Sequence, residues 1–247
     1  MLLSVGGLAL VMASGCVFNN YIDRGKDAVM SRTAKRALVT NSIRPDFALA
    51  YGSLLGVFGF ALLLQLHTRI SFWTAMFGFV VYIGVYGYAK RHSPHGTLVG
   101  ALAGATPPVV GYSGATGRID TTGVILFIIL VTWQMPHFYA IAIRRAKEYK
   151  AARIPVLPLI SGVRATIQQM QYYTVGFILS VVSLSVFSNT SYSYLVVMLG
   201  IGLWWFKGVY DGAAISDTSS WAKQVFKQSL VVLMVFSLMI SLDNLLP

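Results

Sequence analysis

Long apolar segments alternate with short polar ones along the whole chain. Runs of about 20 mostly apolar residues, the length that a helix needs to cross a bilayer, recur along it. They lie at roughly 1–18, 47–66, 70–89, 97–114, 121–142, 171–188, 192–211 and 225–246. The pattern predicts an all-α, polytopic membrane bundle of about eight transmembrane helices. Tight joints at 67–69 and 188–190 would make neighbouring helices antiparallel. No basic region precedes the first run, so we expect a spanning helix and not a cleaved signal.

Composition agrees with burial in lipid. Of the 247 residues, 56% are hydrophobic and only 11% are charged, whereas a soluble domain carries about 25% charged residues. The mean hydropathy is +0.68. Because so little polar surface is available, the apolar excess must face lipid. The single cysteine, Cys16, excludes an internal disulfide and a metal–cysteine cluster.

Small residues recur at helical spacing within the predicted spans. Gly52 and Gly56 are four residues apart, as are Gly96, Gly100 and Gly104. Glycines on one helix face allow close helix–helix packing. No linker or low-complexity stretch divides the chain, so we predict one transmembrane domain over residues 1–247.

The basic residues are distributed unevenly between the two sides that helix alternation assigns. Of the 19 Lys and Arg residues, only Arg69 and Arg118 fall on one side, and the others fall on the opposite side. By the positive-inside rule the basic side is cytoplasmic. The net charge of +11 is explained by this topology, so we expect no nucleic-acid partner.

Candidate chemistry is concentrated at the predicted cytoplasmic face. Asn19, Asp23 and Asp27 are spaced at i, i+4 and i+8, so they share one face if the first helix continues through them. Two carboxylates and an amide oxygen suit Mg²⁺, which also binds substrate phosphates. The alternative is a solvated helix end with local Asp–Arg pairs.

Cationic and aromatic side chains near this motif suit a diphosphate. Arg32 and Arg36 are four residues apart, and so are Tyr86 and Lys90 at the cytoplasmic end of the span at 70–89. Arginine binds phosphate through two parallel hydrogen bonds. The alternatives are ordinary cytoplasmic charge for the arginines and an interface anchor for Lys90.

A second group of polar residues follows the span at 121–142. Pro136 and His137 lie near its end, where such residues usually face the bundle interior. His137 is a candidate ligand for a metal or heme iron, or a hydrogen-bond partner for a neighbour. Glu148 is a candidate partner carboxylate for the first motif, although pairing with Arg144 explains it equally well. Four other acids, which have no matching cluster, are interpreted as loop and helix-end residues: Asp120, Asp211, Asp217 and Asp243.

These motifs resemble those of the UbiA-type intramembrane prenyltransferases, and more narrowly the heme O synthases (protoheme IX farnesyltransferases). The resemblance runs over essentially the whole chain. It rests on three stretches: residues 13–24, residues 90–93 with 104–108, and residues 133–137 through 154–158.

The resemblance implies an all-helical bundle around a lipid-open cavity in a bacterial cytoplasmic membrane. It implies that farnesyl diphosphate with Mg²⁺ donates a farnesyl group to the vinyl group of protoheme (heme B), which is a substrate and not a cofactor. Asn19, Asp23 and Asp27 match the family's first metal–diphosphate motif, and Glu148 matches the surviving acid of the second. Positions matching diphosphate-binding residues are Arg32, Arg36, Tyr86 and Lys90, and His137 is a heme contact. A terminal oxidase or a heme A synthase is the partner to which heme O would be handed.

Three alternatives compete with this interpretation. One is a UbiA-type enzyme acting on an aromatic quinone precursor, another is a transporter, and the third is an inactive truncated membrane protein. The third arises because the family has nine helices and Met1 falls near the start of its second. We therefore expect a bundle without the family's first helix.

Overall fold

The computed structural model describes residues 2–66, 69–188, 190–212, 215 and 217–245, all in helices, turns and loops without a strand among them. The predicted joints at 67–69 and 188–190 fall partly outside this set, since His67, Thr68 and Asn189 are not described. The helices are α1 (Leu2–Asp27), α2 (Pro45–Leu64), α3 (Ile70–His92), α4 (Gly96–Gly104), α5 (Thr106–Thr116), α6 (Thr121–Arg144), α7 (Ala146–Ala151), α8 (Leu157–Ile160), α9 (Gly162–Ser188), α10 (Tyr192–Asp211) and α11 (Thr218–Leu242).

Seven helices among the described residues are long and apolar enough to cross a bilayer: α1, α2, α3, α6, α9, α10 and α11. The segment predicted at 97–114 is helical but divided, because α4 ends at Gly104 and α5 begins at Thr106. Pro107 and Pro108 follow this break, in the first turn of α5, where proline fits a helix best. The predicted all-helical membrane fold is therefore confirmed.

The first compact unit comprises Met1–Ile119 and Lys147–Val156. Its apolar core is formed by α1, α2, α3 and α5 through Val11, Leu63, Ala75 and Val110. Glycines bring α1 and α2 together: a Cβ added at Gly59 would lie 2.8 Å from the carbonyl oxygen of Gly7.

The predicted glycine stripes lie partly at these helix contacts. A Cβ on Gly52 would lie 3.0 Å from Val17, and one on Gly56 would lie 2.9 Å from Ser14. Gly96 and Gly100 lie against α3, but Gly104 is exposed. Close packing thus accounts for four of the five glycines.

The second unit comprises Asp120–Ala146 and Leu157–Pro247. Its core contains the largest fully buried side chain, Trp205, whose ring meets that of Phe177 edge to face at 5.6 Å. Indole N–H groups join its helices, since Trp221 donates to the carbonyl of Gly208 and Trp133 donates to that of Ser229, both at 2.8 Å.

Four acids occupy helix ends or loops, as the sequence predicts. Asp120 accepts hydrogen bonds from the first backbone N–H groups of α6, and Asp217 does the same for α11. Hydrogen bonds from Ser220 lower the pKa of Asp217. Asp243 accepts from Ser191, and Asp211 pairs with Lys207 four residues earlier.

Large apolar side chains cover the outside of both units. Exposed examples in the first unit include Phe47, Phe58 and Trp73, and Leu179 and Met234 are comparable in the second. In water such a surface would be strongly unfavourable, so the long helices identify a multi-pass membrane protein.

Candidate active site

The carboxylates of the first motif lie on one buried face at the end of α1. The helix continues past the apolar run at 1–18 to Asp27, which satisfies the condition for Asn19, Asp23 and Asp27 to share a face. Asp23 is only 1% exposed and Asp27 only 5%. The alternative of a solvated helix end is therefore wrong for these two residues.

Each buried carboxylate is held by cations from other parts of the first unit. Lys90 Nζ lies 2.6 Å from Asp23 Oδ2, and an Arg91 guanidinium nitrogen lies 3.3 Å from Asp23 Oδ1. Arg36 bonds Asp27 Oδ2 at 2.6 Å. Such charge-assisted hydrogen bonds fix both carboxylates, as burial of a charge requires.

A compact turn after α1 brings Arg36 back to Asp27. The backbone N–H of Met30 donates to the Asp27 carbonyl, and the N–H groups of Thr33 and Ala34 donate to the Met30 carbonyl. The buried Thr33 hydroxyl also donates to the Asp27 carbonyl at 3.0 Å. These bonds satisfy carbonyls that the helix end leaves unpaired, so the turn holds Arg36 beside the carboxylate.

The C-terminal part of α3 presents a tyrosine pair beside Asp23. Residues 81–86 form a π-helical segment within α3, a feature often found at functional sites. Tyr82 and Tyr86 stack with ring centroids 5.6 Å apart, and Lys90 Nζ lies 5.7 Å from the Tyr86 centroid. Both phenols interact electrostatically with Asp23.

Two other predicted residues are less firmly held. Arg32 is exposed, and its guanidinium interacts electrostatically with the Tyr86 phenol. Asn19 Nδ2 is buried without a hydrogen-bond partner among the described residues. An unsatisfied buried amide is costly, so the group has capacity to bind a ligand.

The short segment at 147–156 joins this end of α1. Lys26 Nζ donates to the Ala152 carbonyl at 2.7 Å, and Met30 packs with Ala152 and Ile154. Glu148 is half-buried in α7, one helical turn before Ala152. Its role as a second-motif acid stays a prediction.

His137 lies in the second unit, and the structure describes its surroundings there. Pro136 and His137 are both buried on α6, as predicted, whereas the neighbouring Phe138 is exposed. His137 Nδ1 lies 2.8 Å from Ser229 Oγ, so the predicted bond to a neighbour is present. The heme contact stays a prediction.

Sequence reasoning missed two residues of the cluster. Arg91 and Tyr82 are not among the predicted site residues, yet both lie in the site. The spacing of Tyr82, Tyr86 and Lys90 at i, i+4 and i+8 is a signal that would have identified the tyrosine. No spacing signal singles out Arg91 among the arginines of the basic loops.

Gly100 makes room for the Tyr86 ring. A Cβ added there would lie 2.9 Å from Tyr86 Cε2 and 3.0 Å from Cδ2. We expect Gly100→Ala to displace this ring and to lower the activity of the site by about 10- to 100-fold, because small misplacements near the reacting atoms are costly. The measurement is product formation in membranes containing equal amounts of protein.

The matched control is Gly111→Ala, because a Cβ at Gly111 meets nothing within 4 Å. It should retain activity. Full activity in Gly100→Ala would show that the position of Tyr86 is unimportant.

The sequence profile of the UbiA prenyltransferase family matches residues 1–231. The chain belongs to the UbiA prenyltransferase family. It is 46% identical over 242 residues to a protoheme IX farnesyltransferase of Klebsiella pneumoniae subsp. pneumoniae, with 98% of this chain and 82% of the relative covered. The resemblance of the motifs to this family is thereby confirmed.

Solved structures of UbiA-type proteins share the fold. A digeranylgeranylglyceryl phosphate synthase gives a TM-score of 0.81 at 16% identity, covering 98% of this chain and 84% of the other. A UbiA homologue from Archaeoglobus fulgidus bound to DMAPP and Mg²⁺ gives 0.67 at 14% identity, with 97% and 87% covered. At these identities the likeness concerns the fold alone.

Proposed function

We propose that this chain transfers a farnesyl group from farnesyl diphosphate to the vinyl group of protoheme IX, giving heme O and diphosphate. The observation that carries the proposal is the 46% identity to a protoheme IX farnesyltransferase over 98% of the chain. One prenyltransferase domain would include both compact units, since the family profile at 1–231 spans residues of each.

The charged cluster at the end of α1 (Asp23, Asp27, Arg36, Lys90 and Arg91) has a charge balance that supports an anionic substrate. The two buried carboxylates, Asp23 and Asp27, are in contact with three cations, Lys90, Arg91 and Arg36. The cluster therefore carries net positive charge before Arg32 is counted. A diphosphate would complement this charge, whereas a bare divalent cation would be repelled by it.

The donor set also fits Mg²⁺ bound together with the diphosphate. Asp23, Asp27 and Asn19 supply the hard oxygen ligands that Mg²⁺ prefers, and such sites usually take the remaining ligands from substrate phosphates and water. Within the described part of the chain, no group of three His, Cys, Asp or Glu side chains could hold a metal by itself. The ion would supply positive charge to the departing diphosphate.

The side chains of the cluster would assist departure of the diphosphate. Cleavage of the C1–O bond leaves both electrons on the diphosphate, and Lys90, Arg36 and Arg32 would neutralise the growing negative charge. The Tyr82 and Tyr86 rings beside Asp23 would face the resulting allylic cation. The vinyl π electrons then form the new C–C bond, water adds to the second cation, and a proton is released.

The protein would act from the cytoplasmic side of a bacterial inner membrane. The basic loops that helix alternation assigns to one side include those carrying Arg36, Lys90 and Arg91. These three residues bond the same helix end, which supports a common side. Heme B is the acceptor substrate, and a terminal oxidase or heme A synthase is the recipient of the product.

The test is heme extraction from membranes of cells lacking their own heme O synthase and expressing this chain. Mass spectrometry should detect heme O, whose mass exceeds that of heme B by a farnesyl group and a hydroxyl group. Supplying labelled farnesyl diphosphate should place the label in that product. Membranes that contain the protein but accumulate a prenylated aromatic compound and no heme O would favour the quinone-precursor alternative.

A further inference from the structure

Ser229 on α11 is attached to α6 at two points, one helical turn apart. The Trp133 indole N–H donates to the Ser229 backbone carbonyl at 2.8 Å. His137 Nδ1 lies 2.8 Å from the Ser229 hydroxyl oxygen. Ser229 is fully buried, so this pairing is enclosed within the second unit and holds the imidazole in one orientation.

The direction of the serine–histidine hydrogen bond follows from a third contact. Ser229 Oγ lies 2.6 Å from the Phe226 carbonyl oxygen. A carbonyl oxygen only accepts, and a serine hydroxyl has one proton, so that proton must lie between these two oxygens. Ser229 Oγ therefore accepts from His137, and Nδ1 carries the imidazole proton.

This arrangement leaves the other imidazole nitrogen with a lone pair. A neutral imidazole has one N–H group, so His137 Nε2 is an acceptor and a competent metal ligand. Among the residues that the structure describes, the hydrogen bond of the imidazole is made by Nδ1 and not by Nε2. Aromatic rings also pack against the imidazole: those of Trp133 and Phe226 lie 4.8 Å away, inclined by 25° and 35°. A ligand would meet the ring at its Nε2 edge.

We infer that Ser229 is a positioning residue that fixes His137 in the Nδ1–H tautomer, so that Nε2 serves as an axial ligand to the iron of the heme substrate. This inference rests on the proposed function for the identity of the ligand. A single Fe–N bond from a rigidly held imidazole would hold the porphyrin in place and orient its reacting vinyl group. Partners that hold the second nitrogen of a metal-binding histidine typically change metal affinity by 10- to 100-fold.

The tautomer can be measured without any ligand. The full chain, ¹⁵N-labelled at histidine and reconstituted in lipid, is studied by solid-state NMR, with the His137 signals assigned by their loss in His137→Gln. We expect a protonated Nδ1 and an unprotonated Nε2. A protonated Nε2 would overturn the proposal, and this holds even if Ser229 variants fail to fold.

Heme ligation is measured with heme B alone, in the absence of farnesyl diphosphate. The purified chain should bind heme B with the absorption spectrum of a histidine-ligated iron. Ser229→Ala should bind it about tenfold more weakly with an altered spectrum, and His137→Ala should lose the spectrum until imidazole is added. The control is Ser180→Ala, since Ser180 is also buried but, among the residues that the structure describes, its hydroxyl donates to the Gly176 carbonyl of its own helix.

The outcomes separate this inference from the proposed function. Formation of heme O by the native chain, combined with an unchanged heme spectrum in His137→Ala, would overturn the axial-ligand role and leave the activity standing. Failure of the native chain both to bind heme B and to form heme O would overturn both.

Discussion

Replacing Asp23 or Asp27 with alanine is expected to abolish heme O formation, with a fall of more than about 100-fold, while the protein still inserts into the membrane. Each change removes a proposed Mg²⁺ ligand and leaves cations without their buried partner. Loss of one group that stabilises transition-state charge typically costs 10²–10³ in rate. The measurement is heme O per amount of protein in membranes, by mass spectrometry.

Asp46→Ala provides the matched control for these variants. Asp46 is also a carboxylate on the predicted cytoplasmic side, paired with Arg44 at 3.5 Å, but its side chain is 84% exposed. Exposed ion pairs contribute little, so this variant should keep its activity. Unchanged heme O yields in both Asp23→Ala and Asp27→Ala would rule out the proposed metal–diphosphate site.

Lys90→Ala is expected to reduce heme O formation by about 100-fold with a smaller loss of stability. Lys90 bonds Asp23 at 2.6 Å and would neutralise the departing diphosphate. Asp23 keeps its contact with Arg91 at 3.3 Å in this variant, so the carboxylate is not left unpaired. Turnover should therefore fall much more than the unfolding temperature in detergent.

Combining Lys90→Ala with Asp23→Ala tests whether the two groups act as a unit. Residues that share one interaction network give non-additive effects, so the double variant should be scarcely less active than Asp23→Ala alone. Lys35→Ala, which removes an exposed lysine, should have no effect. Strictly additive losses would indicate that Lys90 acts independently of Asp23.

The membrane fold and the carboxylate face could be predicted from the sequence because both depend on local periodicity. A run of apolar residues sets a span length, and four-residue spacing sets a helix face. The burial of Asp23 and Asp27 could not be predicted, because it depends on Lys90, Arg91 and Arg36, which lie in other segments. Arg91 has no spacing signal that separates it from an exposed arginine such as Arg44.

Local rules also failed where the backbone departs from a regular α-helix. The division between α4 and α5 and the π-helical segment at 81–86 both alter side-chain direction within predicted spans. The pair Pro107 and Pro108 indicates the division between α4 and α5. No feature of the composition indicates the π-helical segment. The tautomer of His137 is a further example, since it depends on Ser229, 92 residues away in sequence.

The close glycine contact between α1 and α2 limits the routes by which hydrophobic molecules can reach the site. From Gly7 to Val17, α1 lies so close to Gly59, Gly56 and Gly52 that even one added methyl group would meet atoms within about 3 Å. A hydrocarbon tail is wider than that gap, so this seam is sealed against lipids. A prenyl donor dissolved in the bilayer must therefore enter the protein between other helices.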